Sequence, residues 1–179
     1  MDIPLISRFG CGYVGGVKSV NAGIEVFSNM TGTTPTAWND PAKGAELTRS
    51  QIDRGADVVY HAAGNTGVGV IQAASDAGKL SIGVDKNQNH LAPGLVLTSM
   101  LKRVDVAAYE TFKDAMGGKF TSGVKVLGIA EGGVDWALDE HNKPLITAEM
   151  KKRIDAARND ILSGKLVVHD FTSNSNCPY

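Results

Sequence analysis

Asn65 and Asp85, an amide and a carboxylate, stand at the two turning points of a single β-α-β signature, GADVVYHAAGNTGVGVIQAASDAGKLSIGVD, which spans Gly55 to Asp85. Val58, Val59 and Tyr60 form an apolar run without polar alternation, as in a parallel strand covered on both faces. A turn through Gly64 and Asn65 follows. The spacing of Val68, Ile71 and Ala74 then predicts a helix over Thr66 to Ala77, with Gly78 just past its end. Leu80 to Val84 is the second strand. A right-handed crossover brings Asn65 and Asp85 to one carboxyl edge, where open α/β sheets bind ligands. Such a pair suits hydroxyls and ring nitrogens better than phosphate.

Other residues fall at the same edge. Tyr60 and His61 end a strand, and either ring offers a stacking face; the plain alternative for Tyr60 is core packing. Trp38 lies in a loop opening the same way, as a ligand platform or as a staple at a helix entry. Lys102 follows the predicted strand Leu95 to Ser99, which makes it a charge partner for Asp85 or part of a solvated face.

Several chemistries are poorly supported. The glycines Gly64, Gly67 and Gly69 are spaced G-x-x-G-x-G, not G-x-G-x-x-G, so a dinucleotide cofactor is not expected. Neither the phosphate-binding G-x-x-x-x-G-K-[ST] nor the nucleophile motif G-x-S-x-G occurs. His61, His90, His141 and His169 lack ligand spacing, and no metal is expected. A net charge of −1 with dispersed charges argues against nucleic acid. Runs of about 18 apolar residues, as a membrane span needs, are absent. The opening MDIPLISRFG has an acidic second residue and does not read as a signal peptide. Cys11 and Cys177, near opposite ends, fit either two inert thiols or a bridge.

The elements that would position these residues alternate along the chain. Helices are predicted within Met1 to Val20 after a short lead-in, with Pro4 in the first turn, from an Asp40 N-cap to Arg54, over Val104 to Ala115, and from a Thr147 cap to Gly164. Further strands are predicted at Ile24 to Phe27, Lys125 to Ile129 and Leu166 to Val168, with Val134 to Pro144 irregular. The fold class is α/β, a doubly wound and mostly parallel sheet. Such a domain opens on a strand, whereas this chain opens on a helix, so a first strand is expected to lie upstream.

Four ordered segments carry a resemblance: TTPTAWNDPAKG, GADVVYHAAGNTG, AGKLSIGVDKNQNHLAPGLVLTSMLKRVDVAAYETF and GGVDWALDEHNKPLITAEM. Together they resemble the basic membrane lipoprotein family, solute-binding proteins of ABC transporters related to purine nucleoside receptors. The resemblance covers nearly the whole chain. It implies the type I periplasmic-binding fold, two lobes closing on ligand, with the upstream lobe missing here. Residues 1–101 would be the second lobe without its first strand, and residues 102–179 the returning segment that completes the first. By motif, Tyr60 would stack on the base, Gly64 and Asn65 would touch ligand at the rim, Asp85 would accept from ribose hydroxyls, and Lys102 would be its polar neighbour, with Trp38 nearby. The implied partners are a nucleoside-like molecule and an ABC permease, outside the cytoplasm and without a cofactor. That oxidising setting favours a Cys11–Cys177 bridge. Two other functions stay open: a small nucleoside- or sugar-handling enzyme using Asp85 and Lys102 as acid and base, and a non-binding piece that self-associates.

Overall fold

The computed structural model describes residues 1–179. Helix α1 (Pro4–Val20) has Pro4 in its first turn, where a missing N–H forfeits no helical bond. Its far end is tied off by Lys18 Nζ, which donates to the carbonyls of Ala22 at 3.0 Å and Ile24 at 2.7 Å. Helix α2 (Pro41–Asp53) starts at the Asp40 cap, whose carboxylate accepts from the Lys43 N–H at 2.9 Å. Strand β1 (Val58–Tyr60), helix α3 (Thr66–Asp76) and strand β2 (Leu80–Asp85) form the expected β-α-β unit. Strand β3 (Val96–Lys102) leads into helix α4 (Val104–Met116), then strand β4 (Val134–Trp136) and helix α5 (Ala148–Leu162). Thr147 caps α5, its hydroxyl accepting from the Met150 N–H at 3.1 Å.

The sheet runs β1-β2-β3-β4, with the first two pairings parallel and β3–β4 antiparallel. Tyr60 lies beside Ile82, and Asp85 beside Leu101. Lys102 is the last residue of β3, inside the strand and not in a loop beyond it.

Three predicted strands are not formed. Residues 24–27, 125–129 and 166–168 lack strand pairing. A strand exists only through a hydrogen-bonded neighbour, and an apolar run supplies none. Val126 and Val167 remain 74% and 80% exposed, so their side chains are not buried in a sheet either. Conversely, Val134–Trp136, within the segment expected to be irregular, pairs antiparallel with Met100–Lys102.

Packing is tightest between α2 and α3. A Cβ at Gly69 would collide with the Pro41 carbonyl, and one at Gly44 with that of Thr66. Gly69 of GNTGVG and Gly44 of α2 therefore let two helices touch backbone to backbone. The apolar centre joins Ile71, Ala92 and Val96 beneath Leu95. By contrast, α4 and α5 bury no residue, and Phe112 of α4 is 71% exposed. The tail folds back on α1: Cys177 is disulfide-bonded to Cys11 with Cα atoms 5.6 Å apart. Tyr179 packs over Gly15, and Arg8 pairs with Asp170 at 3.2 Å.

Candidate functional site

A cleft of about 760 Å³ opens over the carboxyl ends of β2 and β3. Gly64, Asn65, Asp85 and Lys102 all line it. Gly64 takes φ +57°, a left-handed turn that glycine adopts without strain, and this lets the Trp38 carbonyl and indole lie against it. Trp38 belongs to a 3-10 turn, Pro35–Trp38, fastened to the start of α3 by Thr66. The Thr66 hydroxyl donates to the Ala37 carbonyl at 2.8 Å and accepts from the Asp40 N–H at 2.7 Å. The Asn65 amide donates to Asn39 Oδ1 at 2.7 Å. Trp38 is thus packed behind the Gly64–Asn65 turn as its support, and its ring does not itself line the cleft.

Asp85 and Lys102 form the opposite part. Lys102 Nζ lies 2.8 Å from Asp85 Oδ1, with both side chains about half exposed. A surface pair of this kind adds at most about 1 kcal/mol to stability, so its main consequence is orientation. Asp85 Oδ2 makes no hydrogen bond within the protein. Also in the lining, and exposed, Arg103 is committed to Asp105 at 2.8 Å. Lys102 and Arg103, two of the cations in the lining, each face a carboxylate.

Tyr60 lies elsewhere. Its ring packs on Tyr13 of α1, centroids 5.0 Å apart, and with Phe9, Ile82 and Met100 lines a separate groove of about 300 Å³. Burial, reinforced by the charge of Asp85, keeps its phenol protonated well beyond the usual tyrosine range. His61 is buried under the cleft floor, 4% exposed. Its Nε2 meets Gln88 Oε1 at 3.1 Å, and the same oxygen accepts from the Val84 N–H at 2.8 Å. An oxygen that already faces one donor requires His61 to donate as well, which leaves Nδ1 bare and without a partner. Burial pushes the His61 pKa down to about 4, against the opposing pull of Gln88 and Asp85.

Sequence reasoning missed the support beneath Asp85. The loop KNQNHL after β2 supplies Lys86, Asn87, Gln88, His90 and Leu91 to the lining. Gln88 and Asn89 are buried beneath it and joined to Ser99. Asp139, from beyond β4, accepts from Asn87 Nδ2 at 2.6 Å and Asn89 Nδ2 at 3.1 Å. The Asn87 bond, with further help from the His141 N–H, holds the Asp139 carboxyl below the usual carboxylate range. No group of three or more His, Cys, Asp or Glu is arranged to hold a metal ion. No helix is long and apolar enough to cross a membrane.

Comparison with known proteins agrees with this architecture. The family description "ABC transporter substrate-binding protein PnrA-like" (Bmp) matches residues 1–170. The ABC transporter nucleoside-binding protein BmpA of Lactococcus lactis subsp. cremoris (strain MG1363) is 33% identical over 94% of this chain and 50% of its own length. Basic membrane protein D of Borreliella burgdorferi (strain JD1) is 34% identical over 96% of this chain, again 50% of its own. The chain therefore spans about half the length of these relatives. Among solved structures, an ABC transporter solute-binding protein from Aeropyrum pernix K1 superposes with a TM-score of 0.75 at 27% identity, over 94% of this chain and 56% of that one. Sequence, fold and the sheet-edge cleft converge: this chain belongs to the Bmp family of PnrA-like ABC transporter substrate-binding proteins.

Proposed function

We propose that the chain supplies one jaw of an extracytoplasmic solute receptor for an ABC permease, with a purine nucleoside or closely related solute as ligand. The observation that carries this reading is the shared cleft. Asp85, held by Lys102, and Asn65, held by Asn39, face a single opening large enough for a small molecule. A carboxylate with one unengaged oxygen accepts hydrogen bonds from a sugar diol, each charge-assisted bond contributing roughly 1.5–3 kcal/mol. The Asn65 amide is the group assigned to the base, with Trp38 supporting the turn that carries it. Tyr60 would reach ligand only from its own groove.

Recognition, not turnover, is the proposed chemistry. The lining holds no Ser, Thr, Cys or Tyr to act as a nucleophile, and the acid-base candidates Asp85 and Lys102 neutralise one another. Equilibrium dialysis with labelled purine nucleosides tests binding directly. Retention at micromolar protein, without release of free base, supports the reading. Release of base, or no retention at any accessible concentration, counts against it.

A second reading rests on the apolar surface. Val124 is 95% exposed, and with Val126, Val167 and α4's Phe112 and Met116 it leaves bare side chains near unpaired backbone. Self-association through these exposed side chains predicts a mass in light scattering that rises with concentration. A constant monomer mass argues against it.

A further inference from the structure

Asp85 occupies a conformation that few non-glycine residues adopt. Its φ is +67°, and the Lys86 N–H donates back to the Val84 carbonyl at 2.8 Å, closing a three-residue γ-turn with Asp85 at its centre. Turns of this hand are strained and persist only where the surroundings over-determine them. The strained residue is also the one whose carboxylate stands at the cleft.

The surroundings form a directional chain of hydrogen bonds. Gln88 folds back beneath the turn and offers Oε1 to Val84 and His61. Gly83 leaves the room for this, since a Cβ there would press on Ser99 Oγ and the Gln88 side chain. The Gln88 N–H donates to Ser99 Oγ at 2.9 Å, so the serine hydrogen is free to donate to Asn89 Oδ1 at 2.8 Å. That fixes the Asn89 amide with Nδ2 toward Asp139, which also collects Asn87. Ser99 and Asn89 are fully buried, so each depends on its neighbour for a partner. Only Asp139 terminates the chain with a charge.

Asp139 has a second structural tie. It lies just beyond β4, which pairs with the end of β3 that carries Lys102. The β3–β4 pair therefore grips the β2 end twice, once through Lys102 on the Asp85 carboxylate and once through Asp139 on the loop behind it. We propose that Asp139 is a positioning residue of the ligand cleft: by holding Asn87 and Asn89 it fixes the loop after β2 and keeps Asp85 in the left-handed γ-turn that presents its carboxylate. The placement is a property of this chain alone, while its value for ligand rests on the receptor reading above.

NMR of Asp139→Ala, Asn87→Ala and Asp139→Asn in this chain tests it, with solvent exchange of the Val84 and Gln88 amides and the strong intraresidue amide-to-Hα NOE that positive φ gives Asp85. Asp139→Ala should abolish that NOE and speed both amides about tenfold. Asn87→Ala should do so more mildly and serves should Asp139→Ala fail to fold. Asp139→Asn keeps an oxygen for both asparagines and should retain the NOE. Unchanged Asp85 and amide signals in the two alanine variants would overturn the proposal. So would an equal acceleration at Ile71 and Ala74, which marks a general loss of stability. A lost turn in a chain that binds no nucleoside even unmutated supports the clamp and counts against the receptor reading instead.

Discussion

Gly67 lies flat against the imidazole of His61, so close that a β-carbon there would collide with Cε1 and Nδ1 of the ring. This contact joins the first turn of α3 to the end of β1 beneath the cleft floor. Gly67→Ala should therefore destabilise the fold, because a clash this close costs about 3 kcal/mol of overpacking against the roughly 1 kcal/mol that alanine gains in a helix. Urea unfolding checks it. A midpoint equal to or above the parent's contradicts the packing.

The same histidine gives the chain an acid-sensitive limb. Folded, its pKa is pushed down to about 4 from 6.5, so between those values the unfolded chain binds a proton that the folded chain refuses. Its contribution is complete above about pH 6.5 and disappears as pH falls toward 4, a loss of at most about 3 kcal/mol. Asp139, whose carboxyl is held below its ordinary 3.8, acts only at lower pH and does not blur this window. His61→Gln, which still donates to Gln88, should flatten the limb in urea midpoints measured across that range. An unaltered slope would contradict the assignment.

The tail should matter more than its polarity suggests. Cys11 and Cys177 close a loop with a sequence separation of 166, and the chain-entropy model gives such a link about 5 kcal/mol. Cys177→Ser should lower the melting temperature and release the Tyr179 contact over Gly15. Mass spectrometry of oxidised protein should find no free thiol, and two free thiols would contradict the bridge.

The sequence carried local information well and non-local information poorly. Pro4, Asp40 and Thr147 marked three helix starts because caps and first-turn prolines act within one turn. The β-α-β unit was legible because its crossover geometry is nearly obligatory. Ile24–Phe27, Lys125–Ile129 and Leu166–Val168 carry the apolar residues of strands, yet strand formation depends on a partner that composition does not name. Val134–Trp136 was hidden for the opposite reason, as a short run whose pairing with β3 is invisible along the chain. At the site, Asp85 and Lys102 come from adjacent strand ends and were readable together. Gln88, Asn89, Ser99 and Asp139 each read as ordinary polar residues, and only the fold closes them into one chain of hydrogen bonds. The GNTGVG glycines lack dinucleotide spacing, and their tight contacts are with Pro41, His61 and Trp38.

Titration calorimetry of a purine ribonucleoside and its 2′,3′-dideoxy counterpart, against the parent chain and Asp85→Ala, bears most directly on the central claim. If the Asp85 carboxylate grips the sugar diol, the substitution weakens ribonucleoside binding about tenfold or more and leaves the dideoxy compound nearly unaffected. Equal ribonucleoside affinity in the two proteins would contradict it.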